Sequence, residues 1–292
     1  MIVRPRRPPP KISALVSDVD GSLVTDDKQL TPEASAAVAR LHDNGIGFSL
    51  ISSRPPRGLR AIVETLGVAA PVAGFNGGAL IAPDFTPIAE HVLSSRTAKE
   101  TLAWLEARKV EVWVFSGDDW LVRDPDGAYV DRERRAVGFS PTIVGSFEAA
   151  FETSAKIVGV SRDFELLARC ETELAALLGT QANVARSQAY YLDITHPRAN
   201  KGDALSRIAT LLGAPLAEIA VIGDGANDVA MFERSGLAIA MGNAAPEVRR
   251  RADVVTASNL DNGFAKAVER FILNFSGKDA EARGAGRENV DG

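Results

Sequence analysis

Two short apolar runs at opposite ends of the chain, Ile12 to Val16 and Glu218 to Ile222, stop in the same manner, and this pairing narrows the fold more than any other feature. The first leads into Ser17-Asp18-Val19-Asp20-Gly21 and the second into Gly223-Asp224-Gly225-Ala226-Asn227-Asp228. Continuous apolar runs bounded by turn residues read as strands buried on both faces, the condition of strands in a parallel sheet. Ligands of such open sheets collect outside the carboxyl ends of the strands. Two strand ends therefore present carboxylates to one crevice, and Gly21 allows the chain a sharp departure from it.

The rest of the chain supports an α/β doubly wound parallel sheet with an inserted α+β domain. Strand-like runs alternate with helix-period segments, as right-handed crossovers require. Ile46 to Ile51 is a second strand, preceded by a helix with Thr31 as N-cap, Pro32 at its first position and Gly45 just past its end. A helix near Gly58 to Leu66 leads to a third short strand, Val72 to Phe75. The alternation resumes with a helix from Lys201 to Leu212, the strand ending at Ile222, a helix from Asp228 to Arg234, and strands at Leu237 to Ala240 and Val254 to Val255. The middle reads differently. Strands at 112–115, 120–122, 156–160 and 190–194, with helices near 98–108 and 164–178, suggest a separate sheet, and all three tryptophans and all three tyrosines lie there. The expected organisation is a core of 11–83 and 196–275, an inserted domain at 84–195, and flexible tails at 1–10 and 276–292.

Composition excludes several classes of partner. A formal net charge of -5 argues against nucleic acid or an anionic membrane surface as the main partner. No apolar run is long enough to span a bilayer, and no apolar segment follows the basic residues Arg4, Arg6, Arg7 and Lys11 before Asp18, so neither a membrane anchor nor a secretory signal is expected. The only cysteine, Cys170, excludes an internal disulfide and fits a reducing cytoplasm, with the thiol read as a small buried hydrophobe. The expected partner is a small molecule.

Asp-Val-Asp at a strand end is either a metal-binding pair or a capped strand. Asp18, Asp20 and Asp224 could supply the carboxylate oxygens that Mg²⁺ prefers, with Asp228 as a fourth acid one helical turn beyond. So many acids repel one another unless a cation neutralises them. The bland alternative has Asp224 and Asp228 capping the next helix. Ser52, at the end of the second strand, offers a hydroxyl and nearby N–H groups to phosphate oxygens, or is a turn residue beside Ser53. Lys201 opens a helix, where the dipole disfavours a cation unless it faces an anion; otherwise it is a surface charge.

The set Asp18-Val19-Asp20-Gly21, Ser52, Lys201 and Gly223 to Asp228, in that order, resembles the haloacid dehalogenase superfamily of phosphatases. The long insertion before Lys201 resembles the type-two cap of its Cof-type sugar-phosphatase branch, and Asn76-Gly77-Gly78-Ala79 is similar to that branch's Asn-Gly-Ala segment. The resemblance implies a cytoplasmic Mg²⁺-dependent phosphohydrolase for a small phosphorylated metabolite, a sugar phosphate by preference. It implies Asp18 as the nucleophile forming an aspartyl-phosphate and Asp20 as general acid and base. Ser52 and Lys201 are then the phosphoryl contacts, and the metal site is formed by Asp18, Asp224 and the backbone carbonyl of Asp20, with Asp228 supporting the metal or its waters. Gly21, Ser53, Arg54, Asn76, Gly77 and Asn227 complete the implied phosphate and substrate site. The branch usually has Thr-Gly-Arg where this chain has Ser52-Ser53-Arg54, which leaves Arg54 to bind substrate or to pair with an acid. A phosphotransferase or mutase and a non-catalytic phosphometabolite sensor are the alternatives; a signalling receiver lacks the insertion. In the inserted domain Trp113, Trp120, Arg123 and Arg186 either select the leaving group or serve packing and surface, and His196 has no histidine partner at metal-ligand spacing.

Overall fold

The computed structural model describes residues 11–274, so the tails expected at 1–10 and 276–292 lie outside it. Two compact units emerge. Among the described residues, one comprises 11–51, 66–71 and 205–274, and the other 52–65 and 72–204.

The first unit is built on a five-stranded parallel sheet in the order Val254–Val255, Leu237–Ala240, Ile219–Gly223, Ala14–Ser17, Gly47–Leu50. Val16 lies opposite Val221 on one side and Ser49 on the other. Strands from the two ends of the sequence are thus neighbours at the sheet's centre, and every residue of Ala14–Ser17 and Ile219–Gly223 is buried. Helix Pro32–Asp43 follows its sequence signals: the Thr31 side chain accepts the Ala34 N–H at 3.1 Å, Pro32 starts the helix and Gly45 lies beyond its end. Ala34, Ala37, Val38 and Leu41, spaced to share one face, are its buried residues. Removing a side chain such as Leu41 from that face costs about 2–5 kcal/mol.

The expected third strand has a different partner. Val72–Gly74 pairs antiparallel with Ala79–Ile81, which pairs with Pro87–Glu90 to complete a small three-stranded sheet of the second unit. The cause is local: Phe75, Asn76 and Gly77 all take positive φ, and this left-handed turn reverses the chain before a parallel crossover can begin.

The main sheet of the second unit has six strands in the order Asn183–Gln188, Tyr191–Thr195, Ser154–Val160, Glu111–Ser116, Asp119–Val122, Thr142–Ile143. All neighbours are antiparallel except the last pair. Helices Ser95–Ala107 and Phe164–Leu178, N-capped by Ser94 and Asp163, contribute Leu102, Leu105, Leu167 and Leu174 to a cluster with Val112, Ile157 and Leu192. A second cluster is aromatic: Trp113 meets Trp120 edge-on at 5.1 Å and Tyr191 at 5.3 Å.

Candidate active site

In the first unit the acids gather at the carboxyl ends of the two central strands. The ladder between these strands continues one residue past Ser17, where the Asp18 N–H donates to the Ile222 carbonyl at 2.9 Å. Asp18 thereby lies beside the strand that leads to Asp224. One carboxylate oxygen from each of Asp18, Asp224 and Asp228 lies within 4.8 Å of the others. Asp18 and Asp228 are buried and Asp224 half-buried. At such spacing each ionised pair repels by about 3 kcal/mol at an effective dielectric constant of ~20, so the cluster fits a divalent cation with hard oxygen ligands.

Supporting contacts fix these acids. Asp228 bends back within its turn, and its Oδ2 accepts the N–H groups of Asp224 and Gly225. Gly21 has φ +82°, and a Cβ there would lie 2.2 Å from Asp224 Oδ2, so close approach and conformation both require glycine. Asn243 is not among the residues that the sequence singles out. Its Nδ2 donates to the Gly21 carbonyl at 2.9 Å and to Asp224 Oδ2 at 3.2 Å, tying the two acidic loops together. The available signal was its place just beyond strand Leu237–Ala240, in Met241-Gly242-Asn243, at the same sheet edge. Asp20 has an equally unforeseen partner, Lys28, at 2.8 Å. Asn227 is exposed on the turn between Gly225 and Asp228.

In the second unit the structure brings together Ser52, Ser53, Arg54, Asn76, Gly77 and Lys201. Ser52 donates its N–H to Ala73 and its carbonyl accepts the Asn76 N–H at 2.8 Å. Its hydroxyl accepts the Arg54 N–H at 3.1 Å, and the Arg54 guanidinium, itself buried, donates to the Gly58 carbonyl at 3.5 Å. Gly77, with φ +100°, packs so close to the turn before Lys201 that a Cβ would lie 2.8 Å from the Asn200 carbonyl oxygen. Asn200 caps helix Lys201–Leu212 by accepting the Asp203 N–H at 2.8 Å. Lys201 is only 1% exposed, which removes the surface-charge reading.

The weaker sequence candidates each have partners within the second unit. Trp113 and Trp120 are core residues, Arg123 pairs with Glu106 at 2.5 Å, and Arg186 pairs with Glu171 at 2.8 Å. Cys170 is buried in helix Phe164–Leu178, and burial pushes its thiol pKa up, away from nucleophilic use. His196 stacks on His91 at 4.9 Å and its Nδ1 accepts the Arg198 N–H; burial and the Arg198 charge lower its pKa. Among the described residues no helix is long and apolar enough to cross a membrane.

Proteins similar to this chain match most of its length. An HMP-PP phosphatase of Cronobacter sakazakii is 28% identical over 231 residues, which span 79% of this chain and 84% of the relative. The 5-amino-6-(5-phospho-D-ribitylamino)uracil phosphatase YwtE of Bacillus subtilis is 25% identical over 288 residues, spanning 89% of this chain and 98% of its own. A crystal structure of a haloacid dehalogenase-like hydrolase from Bacteroides thetaiotaomicron matches with a TM-score of 0.81 at 27% identity, covering 90% of this chain and 100% of that one. The family model of haloacid dehalogenase-like hydrolases matches residues 15–268, so the chain belongs to that family, as a phosphatase with a doubly wound core and a cap-like second sheet.

Proposed function

We propose that the chain is a Mg²⁺-dependent phosphohydrolase that cleaves a small phosphorylated metabolite, with sugar or polyol phosphates as the first class to test, through an aspartyl-phosphate on Asp18. The observation that carries this reading is the convergence of Asp18, Asp224 and Asp228 within 4.8 Å at adjacent parallel strand ends. A divalent cation held by Asp18, Asp224 and Asp228 would supply charge neutralisation, for the carboxylates and for the phosphoryl oxygens.

The chain's own groups do the rest. The Asp18 carboxylate attacks phosphorus, the bond to the leaving oxygen breaks, and Asp20 delivers a proton to that oxygen. Asp20 then takes a proton from the water that cleaves the acyl phosphate, releasing inorganic phosphate and restoring Asp18. Ser52 and Lys201 are assigned to the transferring phosphoryl group, with Gly21, Ser53, Arg54, Asn76, Gly77 and Asn227 around the substrate. These assignments rest on the motif resemblance. The substrate class draws support from the relatives, one of which is named for a phosphoribityl compound.

The test is phosphate release from a panel of sugar and polyol phosphates and p-nitrophenyl phosphate, with Mg²⁺ and with chelator, in wild type and Asp18→Asn. Release that needs Mg²⁺ and disappears in the variant supports the reading. Release that persists in Asp18→Asn removes Asp18 as nucleophile.

A further inference from the structure

The second unit contains a buried ion pair that this chemistry does not use. Lys156, on strand Ser154–Val160, stands 3.5 Å from Asp193, on strand Tyr191–Thr195, with the two side chains 6% and 5% exposed. A buried pair at that separation is a poor device for stability, because desolvation of both ions rivals their attraction and apolar residues of similar volume would serve the sheet as well. Lys156 has a second contact. Its ammonium donates to the backbone carbonyl of Ser53 at 3.4 Å while lying 4.9 Å from the Phe115 ring centroid.

Ser53 is the middle residue of Ser52-Ser53-Arg54, and all three of its successive carbonyls are engaged. Ser52 accepts from the Asn76 N–H at 2.8 Å and Arg54 from the Phe75 N–H at 2.9 Å. Backbone of the 75–76 turn therefore pins the two outer peptide groups, and a charged side chain pins the one between. The Ser52 hydroxyl accepts the Arg54 N–H, so its direction depends on the path of that same backbone. Oδ1 of Asp193 is buried without a hydrogen-bond partner, which leaves holding Lys156 as the work of this carboxylate.

We propose that Lys156, aimed by Asp193, is a positioning residue that sets the backbone of the Ser52-Ser53-Arg54 loop for phosphate binding. The inference rests on the reading of Ser52 as a phosphate contact. It links two strands of the six-stranded sheet to the loop through one ammonium group.

The test compares wild type with Lys156→Arg, Lys156→Met and Lys156→Met/Asp193→Asn, in kcat and KM for phosphate release and in calorimetric titration with inorganic phosphate. Lys156→Met alone strands the Asp193 charge and can fail to fold, so the double variant, which removes both charges, carries the decision. The expected result is a double variant that melts as the wild type does, with kcat/KM and phosphate affinity both about 10- to 100-fold lower, and an arginine variant that recovers most of each. A folded double variant with wild-type kinetics and phosphate affinity overturns the proposal. A wild type that binds phosphate but hydrolyses nothing overturns the phosphatase chemistry instead, and the titration still decides the role of Lys156.

Discussion

One oxygen of the Asp228 carboxylate accepts the backbone N–H of Asp224 at 2.9 Å and that of Gly225 at 2.8 Å. The fully buried acid thus fixes the direction in which Asp224 leaves its strand, besides lying with one oxygen within 4.8 Å of those of Asp18 and Asp224. Asp228→Ala strands those donors and is expected to cost roughly 1–3 kcal/mol for each group left without a partner. Asp228→Asn keeps an acceptor oxygen and removes the charge, so it should fold while needing more Mg²⁺ for half-maximal activity. Thermal melting and a Mg²⁺ titration separate the two roles: an asparagine variant with wild-type Mg²⁺ dependence reduces Asp228 to a loop tie.

Asn243 ties Gly21 to Asp224 and accepts the Asn259 N–H at 3.0 Å. Asn259 in turn donates to the Val24 carbonyl and to Asp26, so one amide supports both sides of the acidic cluster. Partners that orient metal ligands commonly matter by 10–100-fold in affinity. Asn243→Ala is expected to raise the Mg²⁺ concentration for half-maximal activity by about tenfold or more, and to cost roughly 1–3 kcal/mol of stability for the Asn259 N–H left without its acceptor. Unchanged Mg²⁺ dependence would show that the two loops hold their places without it.

What was legible in the sequence follows from which physical signals are local. The central strands were readable because burial on both faces leaves a nearly continuous apolar run, and helix Pro32–Asp43 because Thr31, Pro32 and Gly45 mark its ends within the sequence itself. Val72–Gly74 joins an antiparallel sheet although the alternation of strands and helices around it points to a parallel one, and the local reason is Asn76-Gly77, a strong reversal signal. Strand Asn183–Gln188 and helix Val130–Val137 went unseen. The first is a polar edge strand and the second is short and charged, so neither carries an apolar period. Asn243 and Lys28 were hidden for another reason: their importance lies in contacts with Asp224 and Asp20, which only the folded chain brings to them.

Gly21→Ala tests the tightness of the acidic crevice. The substitution places a methyl group where Asp224 Oδ2 lies, in a backbone conformation with φ +82° that costs an alanine about 1–2 kcal/mol. Asp224 is the neighbour that must give way. The variant is expected to retain its far-ultraviolet circular dichroism, melt several degrees lower and lose most activity at any Mg²⁺ concentration. Full activity would mean that the loop after Asp20 relaxes at no cost to the site.

The pH dependence of stability should carry a contribution from His196. Its imidazole is half-buried, stacks on His91, accepts the Arg198 N–H at Nδ1 and has a pKa lowered by burial and by the Arg198 charge. The unfolded chain therefore binds more protons here than the folded one near pH 6, and stability rises with pH through that region. The contribution is complete above the ordinary histidine pKa of about 6.5 and is lost as pH falls through the lower folded value. His196→Gln removes the titration while keeping a polar side chain. Melting temperatures measured between about pH 7.5 and 5.5 should fall more steeply for the wild type than for this variant. Equal slopes would assign the acid sensitivity of this region to other groups, and a steeper fall in the variant would reverse the sign of the argument.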